Sequence, residues 1–291
     1  MKIDDRLFYD DFERLIDTSV ERLEFAYNTS QRLYNKPLYI AFSGGKDSVC
    51  LYGLAKRLSE KLKKPLNEVA FFFYHITNLD SPELVNFVKK EYPFVDMQHP
   101  KKSIWQIIVD HGMPPLRMYR YCCKDLKEIN EKDVVLITGV RWAESLRRKE
   151  NRSGLEYSKK ASERRTRLKV DNDEDRRQVE NCMKFSQLIV NPIIDWNNED
   201  VWMFINHEKL KYCKLYDEGE KRLGCIGCPM SNTKERIRHF EKYPKYREQF
   251  IRTFDKMVKK HKTTWTDGED CFNWWINEGK DKERPKEKTK K

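Results

Sequence analysis

The chain has 291 residues, long enough to bury a full core in one large domain with appendages. Its 58 Lys and Arg outnumber 47 Asp and Glu, a formal charge of +11 that favours anionic partners such as nucleotides, nucleic acid or acidic surfaces. No stretch approaches the ~18 apolar residues of a membrane span, and Met1-Lys2-Ile3-Asp4-Asp5-Arg6 has no apolar signal region, so a cytoplasmic protein without membrane contact is expected.

In chain order, Phe12, Leu15, Ile16, Val20, Leu23 and Tyr27 recur at helical spacing and predict an amphipathic N-terminal helix. The apolar run 38–42 predicts a first strand, a glycine-rich turn follows, and a helix runs from about Asp47 to Leu62. Residues 69–74 are unbroken apolar and read as a strand buried on both faces. Ser81-Pro82-Glu83 is a helix start, and Ser103 caps another helix that Gly112 ends. A third strand is expected near Val95 and a fourth over 134–138. Strands alternating with helices give an α/β fold, a parallel sheet sandwiched between helices, with ligands beyond the carboxyl ends of the strands.

The segment at about 147–180 is densely charged and nearly devoid of apolar periodicity. It reads as a mobile, solvated insertion or, alternatively, as a lid that orders over an anion. Structure resumes at 188–194, and Asn198-Glu199-Asp200 opens a helix carrying Val201, Trp202 and Ile205. Beyond 230 the chain reads as helical, broken at Tyr243-Pro244, with a disordered basic tail from Lys280. The expected organisation is an N-terminal helical segment 1–36, a nucleotide-binding domain 37–230 and a helical C-terminal region 231–291.

Ser43-Gly44-Gly45-Lys46-Asp47-Ser48, between a short apolar strand and a helix start, has the parts needed to hold a phosphate. Glycines admit positive φ and close backbone approach, and consecutive N–H groups at a helix start face an anion. Lys46 adds a point charge, and Ser43 and Ser48 add hydroxyls. The spacing is not that of Walker A, which needs four residues between its first glycine and the Gly-Lys pair. A second phosphate candidate is Thr138-Gly139-Val140-Arg141, followed by Glu144-Ser145, where Arg141 offers a planar fork to a phosphate or sulfate.

Eight cysteines in a cytosolic chain point away from a disulfide scaffold. Cys225 and Cys228 form a Cys-x-x-Cys in a glycine-bearing turn, and Cys122, Cys123 and Cys213 are the further donors available to a metal. Adjacent cysteines on one helix point about 100° apart. That is awkward for one mononuclear ion and easier for an iron–sulfur cluster; zinc and a redox pair are the alternatives. Cys50, Cys182 and Cys271 have no grouping, and the six histidines, none at metal-binding spacing, read as structural.

The glycine loop resembles the PP-loop of the ATP pyrophosphatases, enzymes that cut ATP between the α and β phosphates. With it, in order, stand Arg120-x-Cys122-Cys123-x-x-Leu126-Lys127, Thr138-Gly139-Val140-Arg141-x-x-Glu144-Ser145, Pro192-Ile193-Ile194-Asp195-Trp196 through Asp200-Val201-Trp202, and Gly224-Cys225-x-x-Cys228-Pro229. This set, over roughly 35–230, looks like the phosphoadenosine phosphosulfate (PAPS) reductase family within the adenine nucleotide α-hydrolase superfamily. The resemblance implies ATP and Mg²⁺ at the loop (Ser43 to Ser48, Gly139 and Arg141), with Lys46 and Arg141 in catalysis. It also implies a [4Fe–4S] cluster on the cysteines.

Sulfonucleotide reductases of this family carry a degraded loop and end in a Glu-Cys-Gly-Leu-His nucleophile motif. Here the loop is intact, and Gly268-Glu269-Asp270-Cys271-Phe272 is only a partial echo. The motif set is therefore closer to the sulfur-transfer branch, the DNA phosphorothioation and tRNA-thiolating enzymes. The expected activity is adenylation of a substrate, with nucleic acid as the candidate acceptor, for sulfur transfer from a donor such as a cysteine desulfurase. A sulfonucleotide reductase and a non-catalytic nucleotide- or nucleic-acid-binding subunit are the alternatives.

Overall fold

The computed structural model describes residues 5–127, 133–158, 166–167 and 187–277. Its helices, numbered along the chain, are α1 (Asp5–Tyr34), α2 (Lys46–Leu62), α3 (Leu66–Val69), α4 (Pro82–Glu91), α5 (Ile104–His111), α6 (Tyr121–Lys127), α7 (Leu146–Asn151), α8 (Asn198–His207), α9 (Thr233–Lys242), α10 (Pro244–Lys260) and α11 (Gly268–Ile276). The strands are β1 (Leu38–Ala41), β2 (Ala70–His75), β3 (Asp96–Gln98), β4 (Leu136–Ile137), β5 (Leu155–Ser158), β6 (Thr166–Arg167) and β7 (Gln187–Val190). The chain divides into two compact units, one of Met1–Tyr74, Glu83–Gln98 and Ile129–Leu223, the other of His75–Pro82, His99–Glu128 and Gly224–Lys291. These cut across the three consecutive segments expected from composition. The reason is packing: Leu79, Ile104, Ile107, Ile108 and Tyr121, all from the expected nucleotide-binding segment, share a core with Phe250, Phe254, Phe272 and Trp275 of the C-terminal helices.

The first unit is built on a seven-stranded sheet of order β3-β2-β1-β4-β7-β5-β6. β1 runs parallel to β2 and to β4, with Ile40 opposite Phe72 and Ile137, and β4 runs parallel to β7. The order reverses direction at β1, so the crevice beyond the ends of β1 and β4 is the topological switch point where open α/β sheets bind ligands. The fold is thus a mostly parallel α/β sheet flanked by helices. The core holds Leu38 and Ile40 of the sheet, Val49, Leu51 and Leu54 of α2, and Val201 and Phe204 of α8.

Phe12, Ile16, Val20, Leu23 and Tyr27 of α1 are buried in that core and Leu15 packs at its margin, as the helical periodicity predicts. Two polar contacts fix the register of α1: Trp196 Nε1 donates to Ser19 Oγ (2.9 Å), and Arg22 grips Asp195 through both terminal nitrogens (2.9 Å each). The Pro192–Trp196 motif therefore serves the first unit as a packing element, with Ile193, Ile194 and Trp196 buried.

The charged segment departs from its expectation in part. Residues 155–158 form β5, which pairs antiparallel with β7, and β6 pairs antiparallel with β5. Fully buried Glu156 explains why so polar a stretch enters a sheet: its carboxylate accepts from Arg152 Nε (2.7 Å), Ser153 N (3.0 Å) and Asn191 Nδ2 (3.1 Å). Residues 159–165 and 168–186, Cys182 among them, lie outside the described residues, as does the expected disordered tail.

In the second unit, α9, α10 and α11 realise the helical reading, with Pro244 at the first turn of α10 after Tyr243 closes α9. Among the described residues no helix is long and apolar enough to cross a membrane.

Candidate functional site

The loop from Ser43 to Ser48 leaves β1 and enters α2, as its sequence predicts. Gly44 sits at φ +71°, and a Cβ there would meet Val88 Cγ2 at 2.6 Å and Leu84 Cδ1 at 2.7 Å, so both backbone angle and space demand glycine. Gly45 is the N-cap of α2 and brings no side chain to its first turn. The helix therefore starts without a Ser or Asp side chain over its first N–H groups. Ser48 Oγ donates back to Gly45 O (2.8 Å), which stiffens the turn, while Ser43 stands exposed at its rim.

Lys46 is only 6% exposed. Burial, opposed by Asp47 and reinforced by Arg141 and Arg222, holds its ammonium below the ordinary lysine value. Its donors are satisfied locally: Lys46 N donates to Tyr216 Oη (2.9 Å) and Nζ to Lys221 O (3.2 Å), with the ammonium 5.5 Å from the Tyr216 ring centroid. The 3₁₀ turn Lys214–Tyr216 and the residues after it thus lie over the loop and present neutral oxygens where an anion has the stronger claim.

The second candidate segment arrives beside the first. A Cβ on Gly139 would lie 3.2 Å from Asp47 Cβ, so the segment after β4 packs closely on the first turn of α2. Arg141 reaches the loop, but its fork is turned to the protein. Nε donates to Asp47 Oδ1 (2.6 Å), Nη1 to Trp196 O (3.2 Å) and Nη2 to Asn198 Oδ1 (2.9 Å), and the side chain is 1% exposed. The residue expected to clamp a phosphate instead ties the loop to the start of α8. The other cations beside the loop are ones the sequence did not single out. Arg148 on α7, ion-paired with Glu144, is pushed down to about 10, by burial first and then by the charges of Arg222 and Arg152, the signature of a cation-crowded site. Tyr216 and Arg222 had no local signal to find them.

The cysteines divide between the units. Cys213 is fully buried in the core of the first, where desolvation pushes its thiol up. Cys122, Cys123, Cys225 and Cys228 belong to the second and lie within electrostatic reach of one another. The Cys122 thiol is held far above its ordinary value by its hydrogen bond with Cys123, by burial and by Cys225 and Cys228. Cys225 is pushed up by burial and eased by Lys127, whose own ammonium is raised chiefly by Cys225. Thr77 Oγ1 lies 3.5 Å from Cys225 Sγ and also bonds Asp80. Among the described residues no group of three or more His, Cys, Asp or Glu side chains is arranged to hold a metal ion. Four sulfurs on two short segments beside an ammonium fit the donor chemistry of a polynuclear cluster, which spreads its ligand positions over several irons. Cys50 and Cys271 are fully buried in the first and second units' cores.

The family model described as phosphoadenosine phosphosulfate reductase domain matches residues 37–231. Two uncharacterised proteins of Methanocaldococcus jannaschii are similar, one 27% identical over 87% of this chain and 51% of its own, the other 31% identical over 75% and 47%. The chain thus spans about half the length of these two relatives. An adenosine 5'-phosphosulfate reductase of Staphylococcus epidermidis is 24% identical over 72% of this chain and 75% of its own. Among solved structures, the phosphoadenylyl-sulfate reductase of Candida auris superposes with a TM-score of 0.45 at 15% identity, covering 75% of this chain and 95% of that one.

Proposed function

Since this chain belongs to the phosphoadenosine phosphosulfate reductase domain family, an enzyme family, we propose that it is an ATP pyrophosphatase that adenylates an acceptor oxygen for sulfur transfer. The observation that carries this reading is the intact loop: Gly44 at positive φ, an α2 N-terminus whose Gly45 brings no capping side chain, and the desolvated Lys46 at its first position. A chain that only bound a finished sulfonucleotide would not need a loop fitted to a departing pyrophosphate.

In this reading the α2 N–H groups and Lys46 take the β and γ phosphates, displacing Tyr216 Oη and Lys221 O from the lysine's donors. An acceptor oxygen attacks the α phosphorus, the bond from that phosphorus to the α–β bridging oxygen breaks, and pyrophosphate leaves with the bonding pair. Charge developing on the leaving oxygens meets preset donors in a dry site, where each is worth more than in water. Mg²⁺ bound to the triphosphate would supply a counter-charge for the departing pyrophosphate. A sulfur nucleophile then displaces AMP from the activated carbon or phosphorus. Arg141 acts as a positioning residue, through Asp47 and Asn198. The test is product identity: AMP and pyrophosphate in equal amounts support the reading, and ADP with phosphate refutes it.

Cys122, Cys123, Cys225 and Cys228 would hold a [4Fe–4S] cluster, which would supply a sulfur-rich redox or structural centre. Anaerobically purified protein is expected to contain about four irons per chain and a broad absorption near the visible edge. Cys225→Ser should lose most of the iron, whereas Cys213→Ser should keep it, and a colourless parent would sink the assignment.

The second reading, a sulfonucleotide reductase, draws support from the similarity to adenosine 5'-phosphosulfate reductases. It predicts sulfite release from adenylyl sulfate with thiols. Cys271, its candidate nucleophile, is fully buried in the second unit's core, which counts against it.

A further inference from the structure

The loop joining α5 to α6 in the second unit is short, stitched and oddly dressed. Its base is anchored: Pro114 and Pro115 are buried, and Trp275 Nε1 donates to Pro115 O (2.7 Å). Leu116 and Tyr119 exchange backbone bonds (3.2 and 3.1 Å), and Tyr121 Oη donates to Met113 O (2.6 Å). Arg117 Nη2 donates to Met230 O (3.3 Å), which ties the tip to the turn after Cys228. The Tyr119 ring is fixed as well. Its hydroxyl is 3.3 Å from His111 Nδ1, His111 Nε2 is 3.1 Å from Asp125 Oδ2, and the rings of His111 and Tyr121 meet Tyr119 edge-on.

What this rigid tip presents is apolar. Met118 is 94% exposed and Tyr119 48%, with exposed Met113 and Met230 also in this unit. Single exposed apolar residues are ordinary, but neighbouring exposed apolar groups on an ordered backbone mark an interaction surface, and here the backbone is tied in place. The charge around it is one-sided: residues 113–127 carry Arg117, Arg120, Lys124 and Lys127 against one carboxylate, Asp125, which is already engaged by His111.

We propose that the Met113–Arg120 loop is a docking surface for single-stranded nucleic acid, with Tyr119 as a stacking platform, Met118 as a wedge between bases, and Arg117 and Arg120 on the phosphates. The choice of occupant follows from the mixture. An acidic protein face would pair the arginines and leave Met118 without an apolar mate, while an apolar protein face would cover Met118 and bury the arginines unpaired. A nucleic-acid strand brings an anion and a π-face in every unit, and proteins that hold such strands combine cations with aromatic platforms and apolar wedges. Because the loop backbone is already ordered, little backbone freedom is lost on binding. The inference names the acceptor class for the function proposed above and rests on that reading only for what the strand is held for.

The test uses the full chain without ATP, so that it stands apart from the outcome of the cleavage assay. Binding of a fluorescein-labelled 12-mer of mixed sequence is followed by anisotropy. Met118→Ala and Tyr119→Ala are each expected to weaken binding at least about fivefold, alike for different sequences. Arg117→Ala with Arg120→Ala should reduce the slope of log K against log salt by about 1.4, or ~0.7 for each phosphate no longer neutralised. Arg252→Ala, an exposed arginine on α10, should change nothing. All four substituted loop residues are exposed, and thermal melts check that the fold is retained. Because Arg117 also donates to Met230 O, Arg120→Ala alone, expected to lower the slope by ~0.7, keeps the salt test independent of that bond. The proposal is overturned if the parent chain does not bind the 12-mer, if the Met118 and Tyr119 variants bind as the parent does, or if polyglutamate competes as well as unlabelled oligonucleotide.

Discussion

Lys46→Met is expected to slow pyrophosphate release about 10²–10³-fold while leaving the protein as stable as the parent or more so. The slowing follows from removing a preset cation at the position where the leaving group gains charge. The stability half follows from burial. Desolvation holds the Lys46 ammonium below its ordinary value, so at neutral pH the folded chain carries a charge it binds less well than water does. Methionine keeps an unbranched apolar stem of similar length and drops the charge. It forfeits the bond to Lys221 O and the approach to the Tyr216 ring, interactions worth less than relief of the desolvation.

The sign can be checked by titration. The unfolded chain holds the Lys46 proton to higher pH than the folded chain, so parental stability should gain as pH rises through the depressed folded value toward the ordinary lysine range. Lys46→Met should lack that increment. A coupled pyrophosphate assay beside a thermal melt measures both halves. Parental activity in the variant would show that the loop is not where ATP is cut, and a collapsed melting temperature would show that Lys46 holds the fold.

Such opposite movements of rate and stability show where the sequence was readable. The loop was legible because everything it needs is local: an apolar strand, two glycines and a helix start lie within residues 38–48. The same holds for the stripe on α1 and the break at Tyr243-Pro244, where periodicity and proline chemistry act over a few residues.

Arg141 marks the limit. Its place beside the loop followed from its position after β4, but its acceptors are 94, 55 and 57 residues away in sequence, and no local pattern says that Asp47, Trp196 and Asn198 will use every arm of the fork. Tyr216, 170 residues from the backbone N–H it bonds, is the same case. The charged segment hid β5 because its strand character comes from pairing with β7 and from the buried partners of Glu156, neither visible in composition. Among the cysteines, spacing found the Cys225–Cys228 and Cys122–Cys123 pairs, which share a unit. Spacing could not place Cys213 in the core of the first unit, because burial depends on tertiary packing.

Arg141→Met should do the reverse of Lys46→Met in stability and the same in activity. The guanidinium is 1% exposed and bonded through three nitrogens, and its removal leaves Asp47 charged and unpaired with Trp196 O and Asn198 Oδ1 stripped of donors. Breaking one side of such a pair costs about 3–5 kcal/mol. The lower end is expected here because Asp47 keeps 23% of its side chain in water. For a protein of this size about 3 kcal/mol is a fall of roughly 6–12 °C in melting temperature, at ~2–4 °C for each kcal/mol. Activity should fall too, since Asp47 directly follows Lys46 and is deprived of the bond that sets the first turn of α2.

Arg141→Lys separates charge from geometry. It retains the cation beside Asp47 but cannot span all three acceptors, so it should recover part of the stability and little of the rate. Urea midpoints for the three proteins, measured without nucleotide, decide the matter. If Arg141→Met unfolds at the parental midpoint, the bonds to Asp47, Trp196 and Asn198 are not what fixes the loop, and the arginine is left free to meet the phosphate itself.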